Sequence, residues 1–363
     1  MTKGNNSKSY PRKEAEFAQE NTLAIVIPAY KETFIERTLS SIAAQENQNF
    51  RLYVADDNSP DLLGRIVEKF RSQFGSRLVY HRFENNLGET SLVGHWHRAI
   101  ALSREKWVWL FSDDDMMSPD CVSAFHGALR ETGAGYDLYR FNTTMINQRD
   151  KVVALNPPHP EWESWSQFAY FLLRQLRMAN QQELVFRRQA YERVGGFLDL
   201  PLAWGSDHSF TITCGTRTGI NTMRKGRILF RQSGVNFSSL RSRETDRMKM
   251  RAAVEFTVWF LDYIKQNACD DFIDHSTLEF LARERFLRSL RIHIRSIPLR
   301  DWGTVLNFMR DRLRIPKNEI YLRLFNYWIR DNVQRMRQVI SFFGGVGNGK
   351  SQMTGKSPTR LER

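Results

Sequence analysis

The sequence predicts an α/β fold in which helices flank a mostly parallel β-sheet and a helical region follows. Between residues 23 and 111, short apolar runs alternate with segments whose apolar residues recur at helical spacing. Such an alternation is typical of a parallel sheet covered by helices on both faces. From residue 243 onward the helical spacing continues, which predicts the C-terminal helices.

Each predicted element follows from a local pattern. Short, largely apolar runs predict four strands, at residues 23–27, 51–55, 78–81 and 107–111. Apolar stripes between them predict helices, among them 34–45, with Thr33 as its N-cap, and 92–103. The same patterns later in the chain predict short strands at 184–186 and 227–230 and helices at 251–266, 278–297 and 320–340.

The composition divides the chain into four parts. Residues 1–20 and 343–363 are polar without apolar periodicity, which predicts a flexible N-terminal tail and a disordered C-terminal tail. Between them we expect an α/β domain at 21–240 and a basic helical region at 241–342. Residues 344–351 match the phosphate-binding P-loop pattern, but no room remains for the helix that a P-loop requires.

The overall composition excludes several classes of protein. Apolar residues make up 41% of the 363 residues and aromatic residues 12%, which indicates a globular protein with a core. No apolar stretch approaches the roughly 18–20 residues of a membrane helix, and the polar N-terminus does not resemble a secretory signal. The three cysteines lie far apart, which argues against disulfide or zinc frameworks and favours a reducing, cytoplasmic compartment.

The chain is basic, with 53 Lys and Arg residues against 40 Asp and Glu residues. The excess is concentrated between residues 277 and 340, where 14 basic residues face 6 acidic ones. Such a surplus fits nucleic acid, an anionic membrane face or an acidic substrate, and it also fits an ordinary solvated helical surface.

Polar residues follow three of the predicted strands at their carboxyl ends, where parallel sheets bind ligands. They are Tyr30, the pair Asp56 and Asp57, and the triplet Asp113, Asp114 and Asp115. Three consecutive carboxylates repel one another unless a cation or hydrogen-bond donors compensate, and Mg²⁺ or Mn²⁺ takes such oxygen ligands together with substrate phosphates. The residues alone leave two interpretations open, a metal site or a solvated acidic turn before a helix.

Four segments resemble motifs of the family 2 glycosyltransferases with the GT-A fold, and the resemblance covers residues 23–240. The segments are IPAYKE at 27–32, VADDNS at 54–59, NNLG at 85–88 and WLFSDDD at 109–115, the last resembling the DXD metal motif. The resemblance implies that Tyr30 stacks on the nucleotide base and that Asp57 accepts a base N–H. It implies a ribose or phosphate contact for Asp113 and a divalent metal, Mn²⁺ or Mg²⁺, on Asp114, with Asp115 as the alternative ligand. The other donor-binding residues that it implies are Pro28, Glu32, Asp56 and Arg231.

The catalytic base is expected in the second half of the domain. VGGF at 194–197 and LAWGSDH at 202–208 resemble the region that carries the family's catalytic acid, which implies that Asp207 deprotonates the acceptor hydroxyl. The resemblance then implies an inverting transfer from a nucleotide-diphospho-sugar to a saccharide or lipid-linked saccharide, as in bacterial O-antigen or capsule synthesis. Without the resemblance, the favoured interpretation of Asp207 is that it caps the helix at 208–214.

Two other functions compete with this interpretation. A nucleic-acid-binding or membrane-binding protein without catalysis would use the same basic surface and would not need the acidic residues. A nucleotidyltransferase shares the α/β architecture, but the sequence carries no glycine-rich basic loop after the first strand. The acidic residues together with Tyr30 favour the glycosyltransferase, with possible contact to an anionic membrane and with no nucleic acid expected.

Overall fold

The structure is a computed structural model that describes residues 22–60, 63–234, 242–267 and 273–329. The predicted tails at 1–20 and 343–363, the P-loop match at 344–351 and Cys269 lie outside the described residues. By their contacts, the described residues up to Ser296 form one compact unit and those from Ile297 a second. The predicted boundary after residue 240 therefore lies inside the first unit.

Strands and helices alternate through the first third of the chain, as the sequence predicts. They are β1 Leu23–Ala29, α1 Ile35–Ala43, β2 Arg51–Asp56, α2 Leu63–Glu68, α3 Arg71–Phe74, β3 Leu78–Arg82, α4 Leu92–Ala101 and β4 Trp107–Leu110. One detail differs, because α1 begins after Phe34 with no side-chain cap and Thr33 does not cap it.

The middle of the chain adds short strands between helices. They are β5 Met116–Met117, α5 Cys121–Glu131, β6 Leu138–Asn147, β7 Val152–Leu155, β8 Trp162–Glu163, α6 Trp165–Leu173, β9 Leu184–Arg187, α7 Arg188–Arg193, α8 Ser206–Thr218 and β10 Ile220–Gln232. β10 is much longer than the predicted 227–230, because an irregularity between Thr222 and Arg227 interrupts its alternation without ending the strand.

A single sheet joins these strands in the order β3-β2-β1-β4-β9-β6-β10-β5. β3, β2, β1 and β4 are parallel, as predicted. β9 pairs antiparallel with both of its neighbours, and β5 pairs antiparallel with β10. β6 and β10 pair in parallel, so the sheet as a whole is mixed.

The core lies on both sides of β1 and β4. Every residue from Leu23 to Ile27 has no exposed surface, and Trp107 and Trp109 are buried in the same cluster. Trp109 stacks on Phe141 with ring centroids 4.8 Å apart. Burial on both faces explains why these strands are continuous apolar runs.

Two long helices complete the first unit, α9 at Arg243–Gln266 and α10 at His275–His293. α9 begins earlier than the predicted residue 251, because Ser242 caps it by accepting the backbone N–H of Thr245. The second unit contains α11 at Trp302–Asn307 and a helix, α12, over residues 317–329. Within the described residues, no helix is long and apolar enough to cross a membrane.

Candidate active site

A cavity of about 1370 Å³ opens at the carboxyl ends of β1, β2 and β4 and extends to α9 and α10. We call its two sides the acidic half and the helical half. The acidic half is lined by Pro28, Tyr30, Lys31, Asp57, Gly88, Asp113, Asp114 and Asp115. The helical half is lined by residues 175–182, Trp204, Asp207, His208, Phe256, Arg285 and neighbouring residues of α10.

Tyr30 and Asp113 are joined where β1 and β4 end. The backbone N–H groups of Tyr30 and Lys31 both donate to Asp113 Oδ2, at 3.0 and 3.1 Å. Tyr30 keeps 38% of its surface exposed at the cavity. The peptide N–H groups therefore orient one carboxylate oxygen, while the phenol ring stays accessible to a flat ligand.

Asp115 borders the cavity but is almost completely buried, with 1% of its surface exposed. Its Oδ1 accepts the backbone N–H of Arg231 at 2.7 Å, and its Oδ2 accepts the hydroxyl of Ser112 at 2.6 Å. Asp114, between two acidic neighbours, is partly exposed at the cavity. Of the two alternatives for the metal ligand, Asp114 is thus the accessible one.

The acidic half concentrates negative charge in a poorly solvated place. Burial, and then the carboxylates of Asp115 and Asp113, raise the pKa of Asp114 to about 8. Burial likewise raises the pKa of Asp115 to about 6. A bound cation would relieve this repulsion, because it stabilises the ionised carboxylates.

The residues present fit a divalent metal that is shared with a phosphate ligand. Among the described residues, no three His, Cys, Asp or Glu side chains are arranged to hold a metal ion by themselves. Mg²⁺ and similar ions are commonly bound by one or two carboxylates plus the phosphates of a substrate. Asp113 and Asp114 supply that donor set.

Asp57 holds the loop that follows β3. Its Oδ1 accepts the N–H of Leu87 at 2.9 Å and its Oδ2 accepts the N–H of Gly88 at 2.7 Å. Arg98 forms a further, very short ion pair with the same carboxylate. Asp57 therefore shapes the acidic half while keeping only 2% of its surface exposed.

Three of the predicted donor-binding residues, Glu32, Asp56 and Arg231, do not line the cavity. The Asp56 side chain is fully buried and accepts hydrogen bonds from the Tyr80 hydroxyl at 2.6 Å and the Ser59 N–H at 2.8 Å. Glu32 is exposed outside the cavity. Asp56 is therefore a structural carboxylate, and its position does not suit a contact with a ligand.

Arg231 lies behind the acidic triplet, and its position contradicts the predicted phosphate contact. The side chain has no exposed surface, and its Nε donates to the backbone oxygen of Asp114 at 2.7 Å. The same guanidinium donates to the backbone oxygen of Asn147 at 3.0 Å and pairs with Asp150. Arg231 thus fixes the backbone on which Asp114 stands.

Asp207 faces the acidic half from the first turn of α8. Its Oδ1 accepts the N–H of His208 at 2.8 Å, and 19% of its side chain is exposed at the cavity. The N-cap position is Gly205, which makes no side-chain bond. The residue therefore satisfies one N–H of the helix terminus and also presents a carboxylate to the cavity.

A strained segment positions this carboxylate. Leu202 and Ala203 have φ of 58° and 53°, and Gly205 has φ of 102°. Residues other than glycine rarely adopt the left-handed region, and such strain is concentrated at functional sites. A Cβ at Gly205 would meet the Phe256 ring at 3.1 Å, so only glycine lets the segment approach α9 this closely.

Comparison with known proteins finds one matching family. The sequence of residues 24–195 matches the family model described as glycosyl transferase family 2. The match covers just under half of the chain and includes the residues of the acidic half. Comparison with curated proteins gives no match.

Solved structures are similar to this chain in fold. The crystal structure of S. aureus TarS 1-349 in complex with UDP-GlcNAc has a TM-score of 0.57, at 16% identity over 87% of this chain and 92% of that chain. The complex of TarS 1-349 with UDP has a TM-score of 0.52, at 15% identity over 79% of this chain and 78% of that chain. The likeness confirms the predicted GT-A fold.

The helical half of the cavity contains residues that the sequence analysis did not single out. Phe256 and Arg285 come from helices that were predicted only as a basic surface region. Buried ion pairs fix residues 175–182 to the rest of the unit. Arg177 pairs with Glu163, and Glu163 also pairs with Arg140 at 2.6 Å. No local motif marks these residues, because their partners are distant in sequence.

Substitution of Gly88 is expected to lower both the stability of the fold and the affinity for a nucleotide. A Cβ at this position would lie 2.6 Å from Asp57 Oδ2, so Gly88→Ala must displace the loop that Asp57 holds. We expect Gly88→Ala to lower the free energy of unfolding by about 1–3 kcal/mol, measured by urea denaturation. Gly127→Ala is the control, because its Cβ meets nothing within 4 Å on a helix, and it should not destabilise.

Stability of the metal-free enzyme is expected to fall with rising pH. The pKa of Asp114 is raised from 3.8 to about 8, so the folded state holds a proton that the unfolded chain has lost. The free energy of unfolding should therefore decrease between about pH 4 and pH 8, by up to about 1.4 kcal/mol per pH unit from this group. The free energy of unfolding, measured across this pH range, should depend less on pH in Asp114→Asn than in the parent. An identical dependence in both proteins would contradict the assignment.

Proposed function

We propose that the protein transfers a sugar from a nucleotide-diphospho-sugar to an acceptor hydroxyl in one in-line displacement. The observation that carries the proposal is that Asp113, Asp114 and Asp207 all line a single cavity. A displacement needs a place for the leaving diphosphate and a base for the incoming hydroxyl, and these two sets of carboxylates supply both.

The acidic half is the donor site in this proposal. Tyr30 stacks on the base, and Asp57 with the loop of Gly88 borders the nucleoside. Asp114, with Asp113 beside it, holds a divalent metal, which when bound neutralises charge on the diphosphate. Pro28 lines the same wall, and Arg231 keeps the triplet in place from behind.

Asp207 is the base in this proposal. It accepts the proton of the acceptor hydroxyl while the anomeric bond to the diphosphate breaks on the opposite side of the sugar. A single displacement inverts the anomeric configuration. The position of Asp207 in the first turn of α8, on the lining of the cavity, suits this role.

The acceptor is proposed to be a saccharide or a lipid-linked saccharide of a bacterial surface polysaccharide, such as O-antigen or capsule. The size of the helical half and its aromatic residues, among them Trp204 and Phe256, support a sugar acceptor, because aromatic faces suit sugar rings. The complex of TarS with UDP-GlcNAc makes UDP-sugars the first donors to test.

A peripheral contact with an anionic membrane is proposed for α12. Tyr321, Leu322, Phe325, Trp328 and Ile329 are all exposed and recur at helical spacing on one face. An apolar face rich in aromatic residues on a basic segment is typical of helices that lie in a membrane interface. The proposed setting is therefore the cytoplasmic face of the membrane.

Vesicle binding tests this contact. We expect the double variant Phe325→Ser, Trp328→Ser to bind phosphatidylglycerol vesicles at least about tenfold more weakly in a sedimentation assay, because two large apolar side chains are lost. Asn326→Ser, an exposed polar position on the same helix, should bind like the parent. Equal binding by all three proteins would contradict the proposal.

Product analysis tests the reaction. The enzyme is incubated with UDP-, dTDP- and GDP-sugars and Mn²⁺, and the anomeric configuration of the released or transferred sugar is followed by NMR. Release of a nucleoside diphosphate with a β-configured first product from an α-linked donor is the expected result. A product that retains the donor's configuration would contradict the single displacement.

A further inference from the structure

The helical half presents one face of α10 to the cavity. Arg285, Phe286, Ser289, Ile292 and His293 line it, at the spacing of one helical stripe. Arg285 is the arginine of this stripe, and its side chain reaches His208 in the first turn of α8.

Contacts on two sides hold the Arg285 guanidinium in place. It lies over the ring of Phe256, 4.7 Å from the centroid. Its Nη2 donates to His208 Nδ1 at 3.2 Å, while His208 Nε2 is 3.2 Å from the backbone oxygen of Ala179. Burial lowers the pKa of His208, so the imidazole is the neutral partner that accepts from Arg285.

Arg285 is partly buried at the cavity and, unlike three other arginines of this unit, forms no ion pair with a carboxylate of the described residues. Arg140, Arg177 and Arg231 each pair with a carboxylate. Within the part of the chain that the structure describes, no carboxylate lies within 4 Å of the Arg285 guanidinium. Burial lowers the pKa of Arg285 to about 10, which leaves it charged at neutral pH. The charge of Asp207 acts in the opposite direction and raises this pKa, but Asp207 lies beyond ion-pair distance, so the partly desolvated guanidinium keeps donors available for an anionic ligand.

We infer that Arg285 binds an oxyanion of the acceptor, a phosphate or a carboxylate, next to the hydroxyl that Asp207 deprotonates. The inference rests on the proposed function, in which the donor diphosphate occupies the acidic half. The guanidinium is a planar fork that matches both oxyanions, and its anchoring on Phe256 and His208 fixes the direction of that fork. The acceptor class is therefore an anionic saccharide.

Anion binding in the presence of a nucleoside diphosphate tests the inference. The acidic half is first saturated with Mg²⁺ and the nucleoside diphosphate that binds, and inorganic phosphate or acetate is then titrated by calorimetry. We expect Arg285→Gln to bind the preferred anion at least about tenfold more weakly than the parent, because charge-assisted hydrogen bonds are lost. Arg291→Gln, an exposed position on the same helix with the same change of charge, should bind like the parent.

The two anions and two further measurements separate the outcomes. Stronger binding of phosphate points to a phosphate-bearing acceptor, and stronger binding of acetate points to a carboxylate. Arg285→Lys keeps the charge without the fork and should show intermediate affinity, which keeps the test usable if Arg285→Gln fails to fold. Equal anion affinity in the parent and the folded Arg285 variants overturns the inference alone, whereas a parent that binds no nucleoside diphosphate overturns the proposed function.

Discussion

Asp207→Asn is expected to lower the rate of sugar transfer by about 10²–10⁴-fold, the usual contribution of a general base. The amide keeps the size of the side chain and its place at the first turn of α8, but it cannot take the proton of the acceptor hydroxyl. Nucleotide affinity should stay unchanged, because the acidic half lies on the other side of the cavity. Steady-state transfer rates and calorimetric titration of the nucleoside diphosphate measure the two quantities.

Asp199→Asn is the matched control for this variant. Asp199 is an exposed carboxylate on the preceding loop and accepts the hydroxyl of Ser91 at 2.9 Å. Transfer by Asp199→Asn should remain within a fewfold of the parent. If Asp207→Asn were as active as the control, Asp207 would be only a residue of the helix terminus, which is the interpretation that the sequence alone left open.

Asp114→Asn is expected to abolish the effect of Mn²⁺ on nucleotide binding and to lower transfer at least about 100-fold. A metal that stabilises charge on the diphosphate contributes several kcal/mol to the transition state, and this variant loses the accessible carboxylate of the triplet. Titration of a nucleoside diphosphate with and without Mn²⁺ measures the loss directly.

Asp115→Asn separates the two alternatives for the metal ligand. Both Asp115 oxygens accept hydrogen bonds inside the protein, so we expect this variant to lower the free energy of unfolding by about 1–3 kcal/mol. In the protein that remains folded, binding of the nucleoside diphosphate should still depend on Mn²⁺. Loss of the Mn²⁺ dependence in Asp115→Asn, together with its retention in Asp114→Asn, would reverse the assignment.

Local sequence patterns are sufficient to predict the sheet and the acidic half. β1 and β4 are continuous apolar runs because both of their faces are buried, and a parallel sheet brings the residues that follow its strands to one edge. The strand pattern alone therefore predicts that Tyr30, Asp57, Asp113 and Asp114 lie together. Their individual roles stay predictions.

The remaining features depend on contacts between distant parts of the chain. Arg231 is 117 residues from Asp114, and nothing in its neighbourhood in the sequence shows that it would be buried behind the triplet. Arg285 belongs to a helix whose sequence reads as a basic amphipathic surface, yet that helix lines the cavity. Asp56 and Asp57 are adjacent and chemically identical, but alternation along the strand directs only Asp57 to the cavity.

The most direct measurement is a thermal-shift titration with UDP, dTDP, GDP and ATP, each with and without Mn²⁺. A ligand that binds only the folded state adds about 2.7 kcal/mol of stability at a hundredfold excess over its Kd. A site built from Tyr30, Asp57 and Asp114 predicts that one nucleoside diphosphate stabilises the protein only when Mn²⁺ is present. No stabilisation by any nucleotide, together with salt-sensitive binding to a polynucleotide, would contradict glycosyl transfer at this cavity and favour a basic binding protein.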